Sequence, residues 1–319
     1  MRFTGRRVFL TGATGFIGGV VARKLLADGA ELTCLVRPKT DASRLERAGA
    51  RIARGDVTEP ATLDLSGQHV LVHAAAWVGY GLPAKKRPLL RKTNVGGTEN
   101  VLHAAKRAGV AKVVHVSSVA ALGGVPGGVV TEETPRGASY LSDYERTKTE
   151  AHALALSAGV PSAVPTPGLV VGLEGPFESL CRGLAKGRVP ALPADDAVKG
   201  FVHVEDCAEG ILLSALKGSG AYLLVDENLR ATELFVAALE EAGLPVPRRR
   251  VASALLVGSA GVLERAYNLA GKTPPVSAEL LQGLRVPMTY DSSRARKELG
   301  WRPSLVPRLA EDLQRLAKA

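Results

Sequence analysis

The chain has 319 residues, 46% hydrophobic and 23% charged, with a formal net charge of +10, enough to bury a full core as one large or two coupled domains. No apolar run approaches the roughly 20 residues of a membrane span, the N-terminal stretch runs straight into a strand without a signal-peptide core, and the three scattered cysteines, Cys34, Cys181 and Cys207, indicate neither a disulfide framework nor a zinc site, so no metal is expected. Aromatics make up 4% of the chain and the densest basic runs, Lys85-Lys86-Arg87 and Arg248-Arg249-Arg250, lack interleaved aromatics, so the charge reads as solvated surface; neither nucleic acid nor membrane is expected as a partner, and the expected compartment is the cytoplasm.

The first strand, Val8 to Leu10, runs into Thr11-Gly12-Ala13-Thr14-Gly15-Phe16-Ile17-Gly18 and then an amphipathic helix to Ala27. A strand, a glycine turn and a helix start form the context of a dinucleotide fingerprint. Gly12 permits the turn, Gly15 admits a pyrophosphate to the backbone amides, and Gly18 lets the helix pack closely. An ordinary glycine-rich turn is the competing reading, and the surrounding pattern argues against it. Glu31 to Val36 is a second strand, Ala42 to Ala48 a polar helix, Arg51 to Ala53 a third strand. His69 to His73 is a fourth strand, Leu89 to Ala108 a long helix, and Lys112 to Val116 a fifth strand. Such alternation predicts an α/β fold, a doubly wound parallel Rossmann sheet, whose ligands bind beyond the carboxyl ends of the strands.

The residues at those ends are therefore the informative ones. The second strand ends in Val36-Arg37-Pro38-Lys39, without the acidic residue that would meet a ribose 2′-hydroxyl. Arg37, with Lys39, can pair with a 2′-phosphate instead, which favours NADP(H) over NAD(H) without excluding the latter. A solvated loop arginine is the alternative. After the third strand, Asp56, followed by Val57, can accept from an adenine amino group, although an acidic cap explains it equally well. Ala74, Ala75 and Ala76 after the fourth strand are small enough for a cofactor to lie against the backbone, or are simple packing. The fifth strand delivers Ser117 and Ser118. Tyr144 and Lys148 lie 26 and 30 residues beyond Ser118, share one helical face, and make a proton donor whose phenolate an adjacent ammonium would favour.

These stretches, together with Asn94-Val95-Gly96-Gly97-Thr98, Pro167-Gly168-Leu169-Val170-Val171-Gly172, Phe201 to Ala208 and Ala295 to Trp301, resemble the extended short-chain dehydrogenase/reductase family of the NAD-dependent epimerase/dehydratase superfamily. Within it the chain looks most like the dihydroflavonol-reductase-like branch, whose second strand commonly ends in Val-Arg. The resemblance implies that Tyr144 protonates a carbonyl as hydride arrives, that Lys148 binds the nicotinamide ribose and lowers the tyrosine pKa, and that Ser118 hydrogen-bonds the substrate oxygen. Ser118 is preferred to Ser117 because Gly123 lies five residues after it, the family's register. Asn94 is implied in a structural or proton-relay role, and Pro167 and Gly168 at the cofactor. Thr166 stands where many relatives carry arginine, and Val119 and Ala120 follow Ser118 where sugar-nucleotide dehydratases carry an acidic pair, which argues against water elimination.

Downstream, Gly175 to Arg188, Val251 to Ala270 and Val276 to Leu284 read as helices, Ala221 to Val225 as a strand returning to the main sheet, and Leu309, Leu313 and Leu316 as the stripe of a docked helix. The implied domains are a nucleotide-binding domain over 1–170, with returning segments about 200–226, and a mainly substrate-binding domain over 171–319. Trp77, Tyr80, Phe177, Leu184, Leu192 and Val198 are expected near the cleft, where an apolar carbonyl or alcohol substrate fits better than a nucleotide diphosphate; each is also a candidate for core. The expectation is an NADP-dependent carbonyl reductase, reversible to alcohol oxidation, with a homodimer left open. Competing expectations are a sugar epimerase holding NAD and a catalytically silent NADP-sensing regulator.

Overall fold

The computed structural model describes residues 2–124, 128–137, 139–269, 281–283 and 285–319. Strands β1 (Arg7–Thr11), β2 (Glu31–Val36), β3 (Arg51–Arg54), β4 (Val70–His73) and β5 (Lys112–His115) alternate with helices α1 (Phe16–Ala27), α2 (Ser43–Arg47), α3 (Arg87–Arg91) and α4 (Gly97–Arg107). After β6 (Val129–Val130) come α5 (Asp143–Leu156), β7 (Ser162–Pro167), β8 (Leu169–Val171), α6 (Glu178–Ala185), β9 (Ala191–Pro193), β10 (Val198–His203), α7 (Val204–Lys217) and β11 (Gly220–Leu224). Next are β12 (Glu227–Arg230), α8 (Ala231–Glu241), β13 (Arg249–Val251), α9 (Ser253–Leu269), β14 (Thr289–Tyr290) and α10 (Leu305–Lys318).

Seven strands form one sheet in the order β11-β7-β5-β4-β1-β2-β3, every neighbouring pair parallel. Strand alternation explains why both of its faces are covered. Val8 and Leu10 of β1, Val70 and Val72 of β4 and Val114 of β5 enter one core with Val21 and Leu25 of α1 and Ile211 of α7. The intervening Phe9, Leu71 and Val113 enter a second core with Val101, Leu102 and Ala105 of α4. A period of two with apolar residues on both sides is what a doubly covered parallel sheet requires. The order reverses at β1, which pairs with β2 on one side and β4 on the other. The carboxyl ends of β1 and β4 thus open the crevice in which such sheets hold ligands.

β11 completes the sheet beside β7. A third core, of Phe201, Leu234, Phe235, Leu239, Leu305, Leu309, Leu313 and others, holds β10, α8 and α10 together. It also contains Leu184 and Leu192, with Phe177 packed against it. Of the two readings open for them, cleft and core, the buried Leu184 and Leu192 and the half-buried Phe177, whose ring meets Phe235, follow the second. Trp301, fully buried, belongs to the core shared by β1 and α1, and its indole Nε1 donates to the Asp206 carbonyl at 2.8 Å.

The expected long helix is present from Arg87 to Arg107, interrupted by a π-turn over Lys92–Gly96. The helix expected from Gly175 begins at Glu178, and Gly175 ahead of it packs against the Phe16 ring with no room for a Cβ. It ends near Gly187, which adopts φ +64°. Only residues 281–283 of the helix expected over Val276–Leu284 are described; the rest lies outside the described residues.

Candidate active site

The glycine turn is built by close backbone approach. Gly12 adopts φ +79°, and a Cβ on it would lie 2.7 Å from the Ala74 carbonyl carbon and the Ala75 nitrogen. A Cβ on Gly18 would overlap the Gly12 carbonyl, so α1 packs on the turn itself and any side chain at either position breaks it. Gly15 differs. It caps α1 in an extended conformation, and a Cβ there would crowd one atom, the Gly12 oxygen at 3.3 Å. Thr14 and Gly15 are exposed at the positive end of α1, which is the surface a pyrophosphate needs. Phe16 and Ile17 are half-buried. Thr11 does not share that surface: it is fully buried, its Oγ1 lies 2.7 Å from His73 Nδ1, and it accepts from the Ala75 N–H at 3.2 Å.

Arg37 and Lys39 are exposed beyond β2. A residue missed by sequence reasoning shapes their turn. Arg54, at the end of β3, donates to the Thr40 carbonyl at 2.7 Å and the Arg37 carbonyl at 3.3 Å, adding a third cation to this corner. Asp56 accepts from the Thr58 N–H at 2.8 Å and from its hydroxyl at 2.9 Å. The side chain of Val57 is core, in contact with Gly97. Ala74 and Ala75 are half-buried and Ala76 is exposed.

Ser142 caps α5, accepting from the Glu145 N–H at 3.0 Å, and thereby fixes where Tyr144 and Lys148 point. Tyr144 is 7% exposed; its ring meets that of Tyr80 at 5.3 Å and packs with Leu82, Leu90, Trp77 and Ala120. Burial pushes its phenol up to about 12, opposed by a hydrogen bond from Ser118. Lys148 does not contribute to that shift. Its Nζ donates to the Val116 carbonyl at 3.0 Å, and burial without a carboxylate lowers it to about 8. The depression of the tyrosine pKa expected from Lys148 does not offset this burial.

Below the lysine lie three buried histidines. His73 and His115 face each other at 5.3 Å on paired positions of β4 and β5, and His152 on α5 lies 2.8 Å from Ser117 Oγ through its Nδ1. Burial, reinforced by the Lys148 charge, holds His73 down at about 3 and His152 at about 4, and lowers His115 in the same direction. Ser117 is therefore spent in the interior, while Ser118 opens onto a cavity.

That cavity, about 100 Å³, is lined by Ser118, Tyr80, Leu141, Lys199, Met288 and Tyr290 among others, with Gly168 on its floor beside Gly200. Pro167 lies in β7 and is buried. Leu141, Lys199, Met288 and Tyr290 were not found from sequence, because they arrive from three segments far apart in the chain. Asn94 is 2% exposed and fully engaged: its Oδ1 accepts from the Trp77 N–H at 2.7 Å, and its Nδ2 donates to the Trp77 carbonyl at 3.0 Å and to Thr147 Oγ1 at 3.1 Å. It pins the Trp77 loop to α5.

Residues 8–222 match the family model described as the NAD dependent epimerase/dehydratase family. The chain belongs to that family. It is an enzyme of the short-chain dehydrogenase/reductase type, in a family whose members use NAD(P). Among curated relatives, the putative dihydroflavonol 4-reductase of Synechocystis is 28% identical over 95% of this chain and 92% of its own length. Sterol demethylase protein B of Methylococcus capsulatus is 32% identical over 92% and 93%, and the 2-alkyl-3-oxoalkanoate reductase of Shewanella oneidensis 27% identical over 97% and 84%. Among solved structures, that of gox2253 superposes with a TM-score of 0.79 at 32% identity, covering 98% of both chains. Among the described residues, no helix is long and apolar enough to cross a membrane and no cluster of potential metal ligands occurs.

Proposed function

We propose that this family member is an NADP(H)-dependent reductase of a ketone or aldehyde of a small, largely apolar substrate, acting reversibly in the cytoplasm. The observation that carries the reading is that Ser118 lines a cavity walled also by Tyr80, Val119, Ala120, Leu141 and Met288, with Tyr144 packed against Tyr80 and Ala120 of that wall. A bound nicotinamide supplies hydride to the carbonyl carbon. Ser118 steadies the carbonyl oxygen, and Tyr144 gives that oxygen its proton as negative charge develops. Lys148, held by Val116, presents a cation beneath the site for the nicotinamide ribose. Residues 1–170 with the stretch about 200–226 hold the cofactor in this reading, and 171–319 mainly shape the substrate side.

Arg37, Lys39 and Arg54 support the choice of NADP(H), since three cations and no carboxylate aimed at a 2′-hydroxyl stand where the adenine ribose would lie. Glu145 also lines the cavity, but its carboxylate accepts from Arg136 at 3.3 Å and from the Leu141 N–H at 2.8 Å. It is thus not available as the acid-base partner a dehydratase needs. The relatives named as reductases support reduction as the chemistry. A panel of ketones and aldehydes tests the proposal by carbonyl-dependent loss of NADPH absorbance. Epimerisation of a sugar nucleotide without net NADPH consumption, or cofactor binding without any turnover, would replace it.

A further inference from the structure

Lys199 is the part of the cavity wall that the chemistry above leaves unused. It stands on β10, is 8% exposed, and shares the cavity with Ser118. Its Nζ donates to the Gly283 carbonyl at 2.6 Å, one neutral acceptor for a group that carries three donors. Among the described residues no Asp or Glu pairs with it. The carboxylate that acts on it electrostatically, Glu145, is committed to Arg136 and to the Leu141 N–H. A buried ammonium whose one hydrogen-bond partner among the described residues is a carbonyl is costly, and burial drives its pKa down to about 8. A bound anion removes that cost.

The cavity also says which anion. Its other walls include the apolar or aromatic Tyr80, Leu141, Met288 and Tyr290 and the carboxylate of Glu145, which Arg136 and the Leu141 N–H take up; its volume is about 100 Å³, and Lys199 is its one cation among the lining residues. A phosphate, carrying close to two charges, would enter with its second charge uncompensated; a carboxylate matches one ammonium.

We propose that Lys199 binds the carboxylate of the substrate, so that the enzyme acts on oxo acids, with the keto group at Ser118 and Tyr144 and the acid group at Lys199. This rests on the reductase reading and narrows its substrate class.

The test compares 3-oxooctanoate with its methyl ester, which keeps the ketone and loses the charge. For the wild type, KM for the acid should be at least tenfold below that for the ester. Lys199→Met, of similar length and without charge, should raise KM for the acid at least tenfold, change KM for the ester less than twofold, and leave kcat for either within about threefold. A wild type that prefers the ester overturns the proposal without any variant, as does an equal change of both KM values. A binding arm is independent of turnover: octanoate is titrated calorimetrically into the NADP⁺-loaded wild type and Lys199→Met. If neither keto compound is reduced but octanoate binds the wild type at least tenfold more tightly, the reductase reading falls and the carboxylate site stands. If both are reduced and octanoate binds both proteins alike, the site falls and the reductase stands.

Discussion

Lys148 Nζ and the Val116 carbonyl meet at 3.0 Å, tying α5 to the end of β5 through a cation that pairs with no carboxylate among the described residues. The ammonium is therefore held at a cost that the fold alone does not recover. Lys148→Met should keep or raise the melting temperature, because an apolar chain of similar length replaces a buried charge, while NADPH affinity and turnover both collapse. Calorimetry and single-turnover kinetics on the same preparations separate the two effects. A variant that loses stability and keeps its cofactor affinity would show the lysine to be structural.

Tyr144→Phe keeps the ring against Tyr80 and removes one hydroxyl. NADPH binding should stay within about twofold, and kcat for carbonyl reduction should fall by roughly 10² to 10⁴, the range of general acid-base groups. Wild-type turnover in this variant would assign the proton to another group.

Arg37→Ala removes an exposed side chain that makes no ion pair of its own among the described residues. Folding should be unaffected. NADPH should bind more weakly by roughly 1.5–3 kcal/mol, a charge-assisted contact, and NADH should bind as before. Titration of both dinucleotides against both proteins checks this, and equal losses would remove the 2′-phosphate from the argument.

Asn94→Leu should destabilise the fold, since the Trp77 N–H and carbonyl and the Thr147 hydroxyl lose their partner, at about 1–3 kcal/mol for each group left buried and unpaired. The chain has two tryptophans, and Trp301 is fully buried. A red shift in emission would therefore report release of the Trp77 loop, and an unshifted spectrum with unchanged stability would return Asn94 to the catalytic candidates.

The buried histidines set a pH limit on stability. His73 and His152 titrate at about 3 and about 4 in the folded chain, against roughly 6.5 when unfolded. Between those values the unfolded chain binds protons that the folded chain refuses, so the stability is complete above pH 6.5 and is lost as pH falls toward about 4. His152→Asn, which can still meet Ser117, should flatten the loss between pH 7 and 5 in urea unfolding curves. Parallel curves for the two proteins would place the loss elsewhere.

The elements that repeat a physical pattern were readable from the sequence. Alternating strand-like and helix-like segments forecast a doubly wound parallel sheet, and Gly12 and Gly18 stand where close backbone contact demands them. Tyr144 and Lys148 share a face of one helix, as their spacing of four predicts. What was not readable depends on tertiary placement. Leu184 and Leu192 look the same in sequence whether they face a ligand or a neighbour, and Lys199 looks like any surface lysine until the fold closes over it. The direction of the Tyr144 shift was also hidden, because it depends on how deeply the phenol lies and on where Lys148 directs its proton.

Trp301 fills the core of a sheet whose first five strands end at His115, and its indole is fixed to Asp206. Asp206 in turn accepts from the Ser304 N–H and from Arg308, both at 2.9 Å. During synthesis, at roughly 5–20 residues per second, those strands exist for some ten to forty seconds before the residue that closes them over is made. The nascent nucleotide-binding half must spend that interval with apolar surface uncovered, so its biogenesis falls within the reach of chaperones, and shortening the chain ahead of Trp301 should yield a product that is degraded or aggregates instead of a smaller cofactor-binding protein.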